Sequence, residues 1–216
     1  MRFYILANGN GSRWNGYLGC QKHEIEIDGE KLIDRIIRQL VENKQKDIVI
    51  VGDYQDEHCS NYINKSERKY DLFVELAEMT TGEFVMLNAD CFYTDKIIKD
   101  IIKRKAENGW LHWCNPSINE FTGKPYGEGY AHKVSNLNWW IEKLKELKIR
   151  ILRNEINPNA TTDWLINRFL YGCTELYEHN PKYLSEYDVY WNDETDDFDF
   201  PEDYDRFMRF TRRIKK

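Results

Sequence analysis

Residues 8–13, Asn8-Gly9-Asn10-Gly11-Ser12-Arg13, gather two glycines, small polar side chains and a guanidinium, and Lys22 adds an ammonium shortly afterwards. Glycine permits positive φ and lets a ligand approach the main chain. Successive amide N–H groups in such a turn point inward and hold anionic oxygens. Two cationic side chains beyond the turn complete the chemistry of a polyphosphate site. The combination points to a nucleoside triphosphate held by Leu6, Ala7, Asn8, Gly9, Asn10, Gly11, Ser12, Arg13 and Lys22. Two familiar phosphate loops are excluded. No Gly-Lys-Ser/Thr occurs, so this is not a P-loop. The dinucleotide loop needs a third glycine for close helix packing; that position is Trp14.

The elements that must position this loop follow from the flanking pattern. Phe3-Tyr4-Ile5-Leu6-Ala7 is a short apolar run, the mark of a buried strand. Gly29 marks a turn, and Lys31–Asn43 places Leu32, Ile33, Ile36, Ile37, Leu40 and Val41 on one helical face. Ile48-Val49-Ile50-Val51-Gly52 is a second strand, parallel to the first because a helix joins them. Asp53–Lys69 is polar; a short helix is expected around Asp56–Ile63, where a strand would be weak. Tyr70–Met79 reads as a helix, Glu83–Asp90 as a third strand, and Asp95–Glu107 as another helix. This βαβαβα alternation implies an α/β domain with a mainly parallel sheet.

The second half changes character. Trp110–Cys114 reads as a strand and Asn115–Glu128, with Pro116, Gly123, Pro125 and Gly127, as a loop able to cover a substrate. Asn136–Leu147 is an expected helix, Ile149–Leu152 a strand, and Thr161–Leu170 a helix capped by Thr161 or Thr162. Tyr171–Glu194 is poorly determined. Most of the aromatic residues here, including Trp110, Trp113, Tyr126, Tyr130, Trp139 and Trp140, are expected in the core, with one or two on a ligand.

Two acidic positions could meet the loop. Asp90 ends the third strand, and ligands of open α/β sheets sit beyond the carboxyl ends of the strands. A carboxylate beside polyphosphate suits Mg²⁺, a hard ion that takes oxygen ligands; the plain alternative is a turn or helix cap. The second is the run Asp196-Asp197-Phe198-Asp199-Phe200-Pro201-Glu202-Asp203-Tyr204. Pro201 suits the first turn of a terminal helix with Asp199 near its N-cap, and its acids and the basic Arg212–Lys216 end complement the helix dipole.

Composition bounds the function. The 216 residues allow one domain with a substantial core. Thirty-one basic against 37 acidic side chains give a net charge of −6, which argues against a general nucleic-acid surface. No apolar run approaches the ~20 residues of a membrane span, and the N-terminal run breaks at Asn8-Gly9 unlike a signal peptide. Five cysteines without C-x-x-C spacing favour reduced thiols and a cytoplasmic protein. The five histidines show no H-x-x-x-H spacing.

Leu6-Ala7-Asn8-Gly9-Asn10-Gly11-Ser12-Arg13, followed by Lys22 and Gly29, resembles the signature loop of the nucleotidyltransferase family of sugar-phosphate nucleotidyltransferases, MobA-type guanylyltransferases and cytidylyltransferases. Asp-Phe-Asp-Phe-Pro-Glu-Asp-Tyr (197–204) resembles the D-x-D-T-P-E-D stretch that closes many of them, with Phe200 in place of the usual Thr. Asn8 and the charged 62–70 segment also depart from the family pattern. The resemblance implies a three-layer α/β/α sandwich around a mainly parallel mixed sheet, of the nucleotide-diphospho-sugar transferase type. It implies a single domain, 1–216, with a nucleotide-binding half at 1–108 and an acceptor-binding half plus terminal helix at 109–216. The implied reaction transfers a nucleoside monophosphate from an NTP to a phosphorylated small molecule, with release of pyrophosphate. It makes Arg13 and Lys22 catalytic and Asp90 and Asp199 ligands of Mg²⁺, with Asp197 as the substitute for Asp199. Partners would be the NTP and the phosphorylated acceptor, with neither nucleic acid nor membrane. Two alternatives remain. A GT-A-type glycosyltransferase would use Asp197-Phe198-Asp199 as a D-x-D motif but has no need of Arg13 and Lys22. A non-catalytic nucleotide-binding module would not need every charged position filled.

Overall fold

The computed structural model describes residues 1–9, 11–66, 68–115, 117–156, 163–172 and 186–214. The strands are β1 (Arg2–Leu6), β2 (Glu26–Ile27), β3 (Glu30–Lys31), β4 (Ile48–Val51), β5 (Ser60–Tyr62), β6 (Phe84–Asn88), β7 (Cys91–Phe92), β8 (Trp110–Asn115), β9 (Glu128–Val134), β10 (Asp188–Tyr190) and β11 (Asp196–Asp197). The helices are α1 (Leu32–Glu42), α2 (Lys69–Glu78), α3 (Asp95–Lys103), α4 (Leu137–Leu152), α5 (Asp163–Leu170) and α6 (Pro201–Ile214).

Seven strands form one sheet in the order β10-β8-β9-β6-β1-β4-β5. Neighbours β6, β1, β4 and β5 run parallel, as do β10 and β8, while β9 is antiparallel to both β6 and β8. Phe3, Ile5, Ile50 and Leu87 pack one face against α1 and α3; Tyr4, Val49, Val51 and Met86 pack the other against α2, α4 and α5. This is the expected three-layer α/β/α sandwich with a mainly parallel mixed sheet. A smaller cluster of Trp14, Ile25, Ile27, Leu32, Phe92, Phe198 and Phe207 joins the segment after β1 to α6.

Several expectations are corrected. The 56–63 segment holds no helix; Ser60–Tyr62 adds β5 as an edge strand on β4. Ile149–Leu152 is not a strand but the last turn of α4, because Ile151 continues the buried stripe of Trp140, Leu144 and Leu147. The helix from Asp95 stops at Lys103, and the Thr161 and Thr162 cap positions lie outside the described residues. The most consequential addition is β9. Glu128-Gly129-Tyr130-Ala131-His132-Lys133-Val134 lacks an apolar alternation because its polar residues are paired inside. Lys133 Nζ donates to the carbonyls of Ile101, Ile102 and Arg104, at 3.1, 3.2 and 2.6 Å, and so satisfies the end of α3. Helix C-terminal carbonyls lack intrahelical partners and attract cations.

Trp110, Trp113, Trp140 and Tyr130 are buried, as expected. Cys20, Cys59, Cys91 and Cys114 are free; Cys173 lies outside the described residues. Where the sequence shows no histidine ligand spacing, the sheet brings His112 to Asp188, Nδ1 to Oδ1 at 2.9 Å, beside Cys114.

Candidate active site

The chain leaves β1 at the middle of the sheet, between β4 and β6. Ala7 N donates to the Val51 carbonyl at 2.9 Å and Ala89 N to the Leu6 carbonyl at 3.2 Å, so both neighbours hold the start of the loop. Gly52 makes this approach possible: a Cβ there would stand 2.8 Å from the Ala7 carbonyl oxygen. Gly11 takes φ +57°, and its carbonyl accepts from Trp14 N at 2.9 Å and Asn15 N at 3.0 Å. Trp14 is buried, donating Nε1–H to the Cys20 carbonyl at 3.1 Å. The residue that rules out a dinucleotide loop therefore anchors the far end of this one. Asn10 lies outside the described residues.

A short 3-10 turn, Lys22–Glu24, then delivers Lys22 to the cleft. Its Nζ lies 2.9 Å from Asp199 Oδ1 and 3.5 Å from Asp90 Oδ2. Arg13 Nη2 donates to the same Asp199 oxygen at 2.8 Å, and the guanidinium stacks 5.3 Å from the centre of the Phe200 ring. The two acids, distant in sequence, thus converge on one ammonium.

Asp90 stands in the turn between β6 and β7, and 201–214 is the expected terminal helix, but neither acid caps the helix that follows it. Asp90 does not cap α3, because Thr94 does so, accepting from Ile97 N. Asp199 does not cap α6, because Asp203 Oδ2 accepts from the backbone N–H of Asp199 and of Phe200, at 2.9 and 2.8 Å. This reach-back from the first helical turn leaves the Asp199 carboxylate facing Arg13 and Lys22. Backbone pairing fixes the two acids together: β11 lies antiparallel to β7, with Asp197 opposite Cys91, and Phe198 N donates to the Asp90 carbonyl at 3.1 Å.

A cleft of about 1230 Å³ opens over the strand ends. Leu6, Ala7, Asn8, Gly9, Gly11, Ser12, Arg13, Lys22, Asp90 and Asp199 all line it. One end adds Asn64, Ser66, Arg68 and Lys69 from the β5–α2 connection; the other adds Tyr126, Glu128 and Asp197. Oxygen donors of two carboxylates, facing the glycine loop, fit a hard divalent ion such as Mg²⁺.

Sequence reasoning missed Glu128 and Lys124. Burial pushes the Glu128 carboxyl up to about 7, against the opposing pull of Lys124. Lys124 is buried, and burial works against its ammonium, yet Asp197, Glu128 and Asp196 around it hold its pKa above the ordinary lysine value. Asp197, the substitute ligand, is buried with its carboxylate on Lys124, and burial raises its pKa well above the usual range. The only sequence signal for this group was the density of acids near 196–199.

No protein-family model matches the chain, and no curated protein matches it. Solved structures do. It is similar to 4-diphosphocytidyl-2C-methyl-D-erythritol synthase from Anaerococcus prevotii (TM-score 0.61, 11% identity, covering 100% of this chain and 98% of that one). It is similar to CTP:phosphocholine cytidylyltransferase from Streptococcus pneumoniae (0.57, 14%, 99% and 98%). It is also similar to HddC from Yersinia pseudotuberculosis, solved with GMP-PN (0.57, 12%, 99% and 99%). Matched over nearly its whole length by such structures, the chain has the fold of the sugar-phosphate nucleotidyltransferases.

Proposed function

We propose that the protein is a nucleotidyltransferase that moves a nucleoside monophosphate from an NTP to a phosphorylated small molecule and releases pyrophosphate. One observation carries the reading: Lys22, Asp90 and Asp199 meet at the mouth of the glycine loop, inside a cleft large enough for both substrates.

Amides of the Gly9–Ser12 loop cradle the phosphates. Arg13, the more exposed cation, binds the departing β- and γ-phosphates, for which its planar fork is suited. Lys22 exchanges its carboxylate partners for the α-phosphate and meets the charge that builds there. The acceptor's phosphate oxygen attacks the α-phosphorus in line, and no covalent enzyme intermediate is needed. Catalysis is positioning and charge neutralisation. Asp90 and Asp199 would hold Mg²⁺, which when bound neutralises phosphate charge. The first half of the chain supplies the nucleotide side, with Asn64, Arg68 and Lys69 toward the base. Tyr126 and Glu128 from the second half face the acceptor. A D-x-D glycosyltransferase site is less well supported, because Asp197 is engaged by buried Lys124.

The test is pyrophosphate release, with four NTPs assayed against a panel of phosphorylated sugars, alcohols and cofactor precursors. One pair should turn over. Release of a nucleoside diphosphate from a nucleotide-sugar, with no pyrophosphate from any pair, would overturn the reading.

A further inference from the structure

The acidic end of the cleft holds more carboxylates than the Asp90–Asp199 pair. Glu128, Asp197 and Asp199 each offer a carboxylate oxygen, and these lie within 4.8 Å of one another, a spacing suited to a divalent ion. The Lys124 side chain is 1% exposed. Its Nζ contacts the Asp197 carboxylate, the Asp197 carbonyl at 3.2 Å, Glu128 Oε1 at 3.5 Å and Asp196 Oδ1 at 3.7 Å. The ammonium donates to the carbonyl and carboxylate oxygens of Asp197 and is ion-paired with Glu128 and Asp196, so oxygens surround it.

The loop that carries Lys124 is tied down immediately before it. Asn119 Nδ2 donates to the Thr195 carbonyl at 3.1 Å, and the Thr122 hydroxyl donates to Asp196. Gly123, at φ +72°, lies so close under Phe210 that a Cβ would stand 2.5 Å from the ring. Lys124 is therefore held in place by tertiary structure, not by a flexible stem reaching in from solvent.

We propose that Lys124 is a built-in cation standing where a second divalent ion would otherwise bind, so that the acidic end of the cleft is closed to metal. A divalent ion between Glu128 and Asp197 would lie against a fixed ammonium of like charge and compete for the same oxygens. Asp199 stands beside this group but pairs through Oδ1 with Arg13 and Lys22, not with Lys124, and so is the member of the three that can act with Asp90. Lys124 is thus a positioning residue: it sets the number of ions the cleft takes and where they sit. This concerns ion occupancy and stands whatever reaction the cleft performs.

The experiment is manganese mapping. Crystals of wild-type protein, Lys124→Met and Lys124→Arg are soaked in saturating MnCl₂, and anomalous difference maps are compared. Wild type and Lys124→Arg should show no peak between Glu128 and Asp197. Lys124→Met should show one there, and Mn²⁺ should raise its melting temperature more than it raises that of wild type. A peak between Glu128 and Asp197 in wild type overturns the proposal. So does a folded Lys124→Met protein with no peak there. A Lys124→Met protein that Mn²⁺ cannot bring to a folded state, judged by circular dichroism, also overturns it, since the ion would restore the missing charge.

Discussion

Lys22 and Lys124 flank one group of carboxylates, Lys22 on the cleft wall and Lys124 buried behind it. Lys22 contacts Asp199 and Asp90 and is 12% exposed on its side chain; Lys124 contacts Asp197, Glu128 and Asp196 and is 1% exposed. Their chemistry is alike and their surroundings differ. Lys22 arrives on a short 3-10 turn at the cleft wall, where under the proposed function an incoming phosphate takes the place of its carboxylate partners. Lys124 is sealed beneath the loop that carries it, and removing its charge would strand buried acids. Exposure thus separates a cation that can exchange partners from one that cannot, in a way that residue type does not.

The largest effect tests the metal side of this contrast. Asp90→Asn, or EDTA with the wild-type protein, should abolish the proposed turnover. Neither should unfold the protein, because the acidic end is balanced by Lys124 and not by an ion. A melting temperature that collapses in EDTA would break the comparison. Next, Lys124→Met should cost about 3–5 kcal/mol in urea unfolding, the usual cost of breaking a buried ion pair.

Lys22→Ala should do the reverse, with a small change in stability but a kcat lower by about 2–4 kcal/mol, roughly 10²–10³-fold, since it meets charge developed in the transition state. Equal stability losses in the two lysine variants would erase the distinction. Arg13→Ala should be milder. Loss of a charge-assisted contact worth about 1.5 kcal/mol should weaken product inhibition by pyrophosphate roughly tenfold, and leave inhibition by the nucleoside-diphosphate product less changed. The smallest effect is a control. Lys145–Glu78 is a 2.8 Å surface pair with both side chains at least half exposed. Lys145→Ala should change stability by less than about 1 kcal/mol.

The fold was largely legible where each element carries its own signal. β1, β4, β6 and the helices between them are dense apolar runs with clear period, and their alternation implies the parallel sheet. The errors fall where context overrides period. β9 contains His132 and Lys133 at buried positions, so it does not read as a strand until α3 supplies carbonyls for Lys133. β5 is an edge strand of polar residues, Ser60-Asn61-Tyr62, whose pairing with β4 is its main support. Ile149–Leu152 is β-branched enough to suggest a strand, yet it completes a helical stripe begun at Trp140.

The glycine loop, its two cations and the two candidate acids that line the cleft could be picked out of the sequence, because these depend on local features: glycines after a strand, an acid at a strand end, a Pro-Glu-Asp helix start. Tertiary structure alone decided how those groups are partnered. It placed Asp203, not Asp199, at the start of α6, and so turned Asp199 toward Lys22. It drew Lys124 out of what reads as a surface loop into the Asp196–Asp197–Glu128 group, across more than seventy residues of chain. Burial of a charge is set by what packs over it, and no spacing rule in the sequence encodes that. The same lysine written in the same loop would be an ordinary solvated side chain if β11 lay elsewhere.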